Sequence, residues 1–343
     1  MRYELPHSED RPIWDIWLSM HNLPAMAVAE EVGLFSSLAE RPMSAAELAQ
    51  RLGFNRRATE VLLCMLRALG LLVSREGRYG LADIARSYLL ADSPYYWGPL
   101  LRTFGMLPQQ RAALIRALRA SHDLPTAVTS TPLPSEAWAN GKMTRAQAEE
   151  VSRIMHCHSL AAAVGAAASG CFADVERLLD VGGGSGCFSI AIAQRFKNAR
   201  CTIMDLPVVC DVARRYIEEG GVGERVDTLG RDMFQAAWPL GYDGVLFSNV
   251  FHDWSPDTNR CLAGRAHEAL ESGGRIFLHE MLLADDGSGP ITTASFSMLM
   301  LFGTQGRQYT LSELSGILVD AGFVDIDVRE THGYFSVVSG RKA

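Results

Sequence analysis

The sequence lacks several features that would mark a membrane, secreted or nucleic-acid-binding protein. Its 343 residues contain no apolar run of the roughly 18 residues that a membrane-spanning helix needs. The polar start MRYELPHSEDRP indicates no secretory signal. A net charge of −7 argues against binding to nucleic acid or to an anionic membrane, because lysine and arginine drive phosphate binding. Seven cysteines without a Cys-x-x-Cys pair favour a reduced, cytoplasmic protein.

The first third of the chain is predicted to be helical. Apolar residues recur at helical spacing from Ile13 to Leu38, with an interruption at Pro24. Ser44 and Glu47 have the spacing of a capping box that begins a further helix. The stretch RRATEVLLCMLRALG predicts the next helix, and LLVSRE and RYGLA predict a small hairpin. Helix, turn, helix and hairpin in this order are typical of a winged helix.

Winged helices often bind DNA, so a transcription factor that senses a small molecule is one alternative. The second helix carries Arg56, Arg57 and Arg67, but apolar residues dominate its face. They are Val61, Leu62, Leu63, Met65, Leu66, Leu69 and Leu71. Such a face favours a core or a subunit interface over contact with DNA.

The first helix carries more apolar residues than a lone helix needs. They are Trp14, Trp17, Leu18, Met20, Leu23 and Met26. This excess predicts a partner surface, and we expect a homodimer.

The character of the chain changes at Gly170. Residues 97–170 are predicted to be helical with a loop at HDLPTAVTSTPLPSEAW. Beyond them, apparent strands alternate with helices. The strands are RLLDVG, RCTIMDL, VDTLGRD, GVLFSNV, GRIFLHEML, FVDIDVRE and YFSVVSGRK. This alternation predicts an α/β fold with a mainly parallel sheet, whose last two strands pair antiparallel at the edge.

A glycine-rich segment follows the first of these strands. Asp180 lies just before Gly182 and Gly184, and a helix begins directly afterwards. A dinucleotide-binding loop would need a third glycine where Cys187 stands. The pattern fits better a loop that holds S-adenosylmethionine, whose ammonium group a carboxylate such as Asp180 can face. A glycine-rich turn without a ligand is the structural alternative.

Acidic residues also follow the next two strands. Asp205, at the end of the second strand, can accept hydrogen bonds from both hydroxyls of a ribose. Asp232 and Met233 suit the amino group and the ring face of an adenine. Each of these residues could instead cap a helix, but three in register on successive strands favour a nucleoside site.

These motifs together resemble a known family. LLDVGGGSG, MDLPVV, GRDMF, FSNVFHDW and GGRIFLHEMLL are similar in order and spacing to the caffeate- and hydroxyindole-type small-molecule O-methyltransferases, including bacterial antibiotic-tailoring members. The resemblance implies a winged-helix-like dimerisation domain over residues 1–100, a helical linker and substrate-lid region over 101–170, and a Rossmann-like catalytic domain that binds S-adenosyl-L-methionine over 171–343. Leu206, Ser248 and Asn249, within these motifs, complete the expected cofactor site.

His252 is the expected catalytic base. It follows the fourth strand of the predicted sheet, at the edge where open α/β sheets bind ligands, and an imidazole suits proton removal near neutral pH. The resemblance implies that His252 deprotonates the acceptor hydroxyl and that Asp253 serves the neighbouring cofactor and acceptor region. It also implies that Glu280, at the end of the following strand, orients the imidazole. A helix-capping or core histidine is the structural alternative.

The sequence departs from the family at two positions. Gln308 stands where plant members carry a second glutamate, so at most one carboxylate of the family's two supports the histidine. Thr304 lies about where relatives that methylate a keto-acid carbon hold a metal with a histidine. His156, His158 and His279 match no standard metal-binding spacing, so no metal is expected.

The sequence says less about the methyl acceptor and its binding residues than about the methyl donor. An apolar wall for a flat aromatic acceptor could be formed by Met155, Phe251, Trp254, Met298 and Phe302. These residues could equally be plain core. Methylation of carbon or nitrogen, and hydroxylation or decarboxylation by a non-methylating relative, are alternatives to O-methylation.

Overall fold

The computed structural model describes residues 2–93, 96–98, 101, 108–120, 143–235 and 237–343. The predicted loop HDLPTAVTSTPLPSEAW lies outside them. In chain order the elements are α1 Arg11–Leu18, a 3-10 turn Ser19–His21, α2 Asn22–Glu31, α3 Leu34–Glu40, α4 Ala45–Leu52, α5 Arg56–Ala68, β1 Leu72–Arg75, β2 Arg78–Leu81, α6 Asp83–Tyr88, α7 Pro108–Arg119, α8 Arg145–Ala168, β3 Arg177–Val181, α9 Cys187–Arg195, β4 Arg200–Asp205, α10 Pro207–Gly220, β5 Val226–Gly230, β6 Tyr242–Ser248, a 3-10 turn Phe251–Asp253, α11 Pro256–Ala269, β7 Leu270–Met281, α12 Ile291–Gly303, α13 Leu311–Asp320, β8 Phe323–Glu330 and β9 Phe335–Lys342.

These elements form two compact units. The sheet unit takes in the described residues of Met1–Arg11, Pro134–Leu282 and Tyr309–Ala343. The helical unit takes in those of Pro12–Leu133 and Leu283–Gln308. The three consecutive domains expected at 1–100, 101–170 and 171–343 stay a prediction. Among the described helices, none is long and apolar enough to cross a membrane.

The winged-helix pattern is present in the helical unit. Ser44 Oγ accepts a hydrogen bond from the backbone N–H of Glu47 at 3.2 Å, and the Glu47 carboxylate accepts one from the Ser44 N–H at 2.8 Å, so the capping box begins α4 as predicted. Helix α5 follows, and β1 and β2 then pair antiparallel as the hairpin. Within the same unit Arg57 donates to the carbonyl oxygens of Thr304 and Gly306. This arginine is therefore engaged by the chain itself.

The predicted helix break lies earlier than expected. The helix ends at Leu18 and the chain passes through the 3-10 turn Ser19–His21 before α2 begins at Asn22. Pro24 stands in the first turn of α2, where a missing N–H breaks no helical hydrogen bond. The proline therefore helps to begin a helix, and the prediction that it interrupts one was wrong.

The sheet unit is an α/β fold, as predicted. Its seven strands lie in the order β5-β4-β3-β6-β7-β9-β8. The first five are parallel, and β9 pairs antiparallel with both β7 and β8, which leaves β8 at the edge. Because parallel strands end at the same edge of a sheet, the residues that end β3, β4, β5 and β6 meet there. The residues predicted from the sequence to bind S-adenosylmethionine therefore lie at one edge of the sheet.

Candidate active site

The glycine-rich loop joins β3 to α9 in a conformation that favours glycine. Gly182, Gly184 and Gly186 have φ values of 69°, 57° and 77°, which lie in the left-handed region that favours glycine. A Cβ atom on Gly186 would lie 2.4 Å from the side chain of Ile203. The loop can therefore turn tightly only with glycine at these positions, and it presents main-chain atoms where a side chain would otherwise stand.

Asp180 lies buried at the floor of this loop. Its Oδ2 accepts a hydrogen bond from Ser189 Oγ at 2.6 Å, whereas its Oδ1 is buried without a hydrogen-bond partner among the described residues. Burial raises the pKa of Asp180 to about 6, the bond from Ser189 opposes the rise, and the charge of Asp205 adds to it. A cationic ligand group would relieve this cost of burying negative charge.

Asp205, at the end of β4, holds the loop from the other side. Its Oδ2 accepts a hydrogen bond from the Gly184 N–H at 2.9 Å, and its Oδ1 accepts one from the Leu206 N–H at 2.7 Å. The carboxylate thus joins the glycine loop to the start of α10. Asp180, Gly184, Asp205 and Leu206, predicted as cofactor residues, are brought together here.

The segment after β5 is fixed by hydrogen bonds to its backbone. Asp232 Oδ1 accepts from the Phe234 N–H at 2.8 Å, and the carbonyl oxygen of Met233 accepts from Trp238 Nε1 at 3.0 Å and from Arg265 at 2.9 Å. These bonds tie the backbone around Asp232 and Met233 to the following loop and to α11, next to the strand that carries Asp205.

At the end of β6 the chain turns sharply out of the sheet. Asn249 has a φ of 54°, a left-handed conformation that is uncommon for a residue with a side chain. Its N–H donates to the carbonyl oxygen of His279 at 3.0 Å, and its Oδ1 is buried without a partner in the described part of the chain. Ser248, which precedes it, lies with its hydroxyl 3.3 Å from His279 Nδ1.

His252 lies on the turn that follows, buried beside two carboxylates. Its Nδ1 is 2.9 Å from Glu280 Oε2, and its Nε2 is 3.7 Å from Asp253 Oδ1. The other oxygen of Glu280 accepts hydrogen bonds from the backbone N–H groups of Val250 and Phe251 at 3.2 and 2.9 Å. One carboxylate thereby contacts the imidazole as an ion pair and holds the backbone of its turn through hydrogen bonds.

The charges of this corner favour a protonated imidazole. Burial alone would lower the pKa of His252, but Glu280 and then Asp253 outweigh it, so the pKa lies above its usual value. Burial also raises the pKa of Asp253, with the His252 charge opposing and that of Glu280 adding to the rise. A ring held in this way can take up a proton and keep it.

The predicted acceptor residues of the sheet unit have different surroundings. Phe251 is fully buried in the core, where its ring packs against Phe247 at 4.9 Å. The Trp254 ring meets Phe234 edge-on at 4.7 Å, and Met155 is half-buried on α8. The contact of these three residues with an acceptor stays a prediction.

Met298 and Phe302 lie on α12 in the helical unit. Both are buried in the core of that unit, and the Phe302 ring is 6.0 Å from the imidazole of His21. Their contact with an acceptor stays a prediction.

Gln308, where plant members carry a glutamate, is also fully buried in the helical unit. Its N–H donates to Ser297 Oγ at 3.1 Å.

The three histidines considered as metal ligands have other partners. His156 Nδ1 lies 2.9 Å from Ser185 Oγ in the glycine loop, and its ring stacks on Tyr216 at 4.3 Å. His158 Nε2 lies 3.3 Å from Met155 Sδ, and His279 contacts Ser248. Over the described residues, no group of three or more His, Cys, Asp or Glu side chains is placed to hold a metal.

Sequence reasoning missed three polar contacts of the site. Ser189 bonds to Asp180, His156 contacts Ser185, and His279 contacts Ser248. Ser189 stands in the first turn of α9, close to the glycine motif, which was the only local signal. The partners of His156 and His279 lie on other elements, far from them in sequence, and no motif joins them.

Comparison with known proteins shows the family. The model of the O-methyltransferase domain matches residues 133–324, and that of the O-methyltransferase dimerisation domain matches residues 14–91. The chain is 36% identical to 3-hydroxy-5-methyl-1-naphthoate 3-O-methyltransferase of Streptomyces sahachiroi, over 96% of this chain and 94% of the relative. It is 30% identical to acetylserotonin O-methyltransferase of Bos taurus, over 91% and 92% of the two chains.

A solved structure is similar over the whole length. The O-methyltransferase family 2 protein of Planctomyces limnophilus, in a complex with apigenin, has a TM-score of 0.88 and 27% identity, and all of each chain is covered. The site described above fits the cofactor of this family, because a positively charged methyl donor suits a glycine loop floored by Asp180, whose buried Oδ1 has no hydrogen-bond partner among the described residues. The chain therefore belongs to the O-methyltransferase family and is an S-adenosyl-L-methionine-dependent methyltransferase.

Proposed function

We propose that the enzyme transfers a methyl group to a hydroxyl of a small aromatic secondary metabolite, with His252 as general base. The observation that carries the proposal is the buried His252–Glu280 pair, 2.9 Å apart, on the turn that leaves the donor edge of the sheet. A histidine used only for packing would not need a buried carboxylate on one ring nitrogen. The names of the relatives from Streptomyces sahachiroi and Bos taurus, both O-methyltransferases of an aromatic compound, support an aromatic hydroxyl acceptor.

The donor half of the site uses residues from four strand ends. Bound S-adenosylmethionine supplies an electrophilic methyl group on a positively charged sulfur. Asp180 and the backbone at Gly182 and Gly184 would hold its amino-acid end, and Asp205 its ribose. The remaining donor residues, placed about the adenosine, are Leu206, Asp232, Met233, Ser248 and Asn249.

His252 and Glu280 divide the acid–base work. The Nε2 atom accepts the proton of the acceptor hydroxyl while the methyl group is transferred, so that negative charge does not build up on the acceptor oxygen. Glu280 fixes the ring through Nδ1 and stabilises the positive charge that the ring gains. Asp253, 3.7 Å from Nε2, marks the side on which the acceptor would lie. An apolar wall against the acceptor's ring is proposed to be formed by Met155, Phe251, Trp254, Met298 and Phe302.

The reaction can be tested directly with a panel of phenolic and keto-acid acceptors and methyl-labelled donor. We expect S-adenosylhomocysteine and one methylated product in equal amounts, with the label on oxygen. A label on carbon or nitrogen would overturn the O-methylation. An oxidised or decarboxylated product without label would overturn methyl transfer to that acceptor.

We further propose a homodimer that forms through the helical unit. On α1 the side chains of Ile13 and Ile16 are 68% and 72% exposed, and Trp17, Met20 and Leu23 nearby are also exposed. A monomeric protein rarely leaves such a group of large apolar side chains in water. The matching dimerisation-domain model covers this helix from residue 14.

Replacing both Ile13 and Ile16 by aspartate is expected to give a monomer, because two charges from each protomer would then be buried in the interface. Sedimentation velocity at micromolar concentration measures the change, and we expect the dimer dissociation constant to rise at least about a hundredfold. Val319→Asp, at a 58% exposed position of the sheet unit, is the matched control and should remain a dimer. A double variant that sediments as a dimer would contradict this interface.

The cytoplasm is the proposed location. All six cysteines whose side chains are described are free thiols, which suits a reducing compartment.

A further inference from the structure

His279 is fully buried on β7, the strand that lies between β6 and β9 in the sheet. Its imidazole lies between Phe188 and Phe335, with ring centroids 4.7 and 4.8 Å away, and is nearly parallel to the Phe335 ring. Phe188 is in the first turn of α9, directly after the glycine loop. The ring thus sits in an aromatic clamp formed by one residue of the helix that follows the glycine loop and one residue of β9.

Both ring nitrogens of His279 meet a hydroxyl group. Nδ1 lies 3.3 Å from Ser248 Oγ, and Nε2 lies 3.4 Å from Thr331 Oγ1. Burial lowers the pKa of His279 to about 3, so the ring is neutral. A neutral imidazole has one N–H and one acceptor nitrogen, so it can donate to one hydroxyl and accept from the other. The aromatic clamp alone would be satisfied by phenylalanine.

The neighbours of His279 connect it to both halves of the active site. Its carbonyl oxygen accepts from the N–H of Asn249, the residue with left-handed conformation. The next residue, Glu280, points to the opposite face of the strand and holds His252. Of these two consecutive residues of β7, His279 therefore contacts the proposed methyl-donor residue Ser248, and Glu280 contacts the proposed base His252.

We propose that His279 is a positioning residue that fixes the hydroxyl of Ser248, and with it the turn at Asn249, for binding of the methyl donor. The inference rests on the proposed placement of Ser248 and Asn249 in the donor site. It assigns His279 to donor affinity and leaves proton transfer to His252 and Glu280.

The test compares His279→Phe with the wild type, because phenylalanine keeps the ring stack and removes both nitrogens. Binding of S-adenosylhomocysteine is measured by calorimetry, and KM for the donor, kcat and the pH dependence of kcat by steady-state kinetics. We expect the Kd and the donor KM to rise about fivefold, the effect of one lost hydrogen bond. The kcat and its pH dependence should stay unchanged, and His279→Gln, whose amide can bond to Ser248, should recover part of the affinity.

A double-mutant cycle with Ser248→Ala shows whether the effect passes through the hydroxyl. We expect His279→Phe to weaken binding no further once Ser248 is alanine. Fully additive effects, an unchanged Kd, or a lower kcat with an altered pH profile would each overturn the proposal. If His279→Phe does not fold, Ser248→Ala alone must raise the Kd about fivefold, and an unchanged value overturns it. Failure of the wild type to bind S-adenosylhomocysteine would instead count against the donor site itself.

Discussion

Replacement of His252 by alanine is expected to lower kcat by about a thousandfold, within the range of a lost general base. Without the imidazole the acceptor must lose its proton to water while its oxygen is being methylated. The Kd for S-adenosylhomocysteine should change less than about twofold, because His252 holds no donor group in the proposed site. Single-turnover methylation and calorimetry measure the two quantities. His7→Ala, at an exposed position, is the control and should match the wild type.

The variant Glu280→Gln tests the His252–Glu280 pair through the pH dependence of kcat. The carboxylate raises the pKa of His252, so its removal should lower that pKa. Only the neutral ring can accept a proton, and kcat therefore falls as the pH drops through the pKa. The acid limb of the pH–kcat profile should move to lower pH in Glu280→Gln, with a lower plateau because the ring is less firmly oriented. Full activity in His252→Ala, or an acid limb that does not move in Glu280→Gln, would contradict the assignment of the base.

Replacement of Asp205 by alanine is expected to raise the Kd of S-adenosylhomocysteine about a hundredfold. The carboxylate accepts the N–H groups of Gly184 and Leu206, so its loss loosens the glycine loop as well as removing the proposed ribose contact. Hydrogen bonds to a charged group contribute about 1.5–3 kcal/mol, and a hundredfold change corresponds to about 2.7 kcal/mol.

Calorimetric titration of the purified variants checks this loss of affinity. Asp227→Ala, on the neighbouring strand β5, removes an exposed carboxylate and should bind as the wild type does. An Asp205→Ala variant that melts at the wild-type temperature yet binds with unchanged affinity would remove Asp205 from the donor site.

The donor side of the site was predictable because its signals are local. Asp180 and the glycines form one contiguous motif, and Asp205 ends the next strand, so strand and loop patterns place them together. The His252–Glu280 contact joins two separate strand ends and was expected only from the resemblance to a family. No pattern in the sequence pairs Ser248 with His279, because that contact depends on the register of β6 and β7.

The wrong position of the N-terminal helix break has a local cause. Proline disrupts a helix interior but is tolerated in a first turn. The apolar periodicity around Pro24 is the same whether the proline interrupts one helix or begins the next, so it cannot distinguish the two. The break lies instead at the short 3-10 turn Ser19–His21, whose residues carry no strong helix-ending signal.

The order of segments in the two units limits how the protein can be divided. Helix α12 comes from the C-terminal half of the chain, yet Met298, Leu301 and Phe302 share a core with Val61, Leu62 and Leu66 of α5. A recombinant C-terminal fragment that begins within residues 121–142 would keep α12 but lose its partners on α5. The apolar surface of α12 would then be exposed and prone to aggregation. A fragment meant to hold the sheet unit alone would have to keep Met1–Arg11, omit residues 283–308 and bridge each gap with a flexible linker.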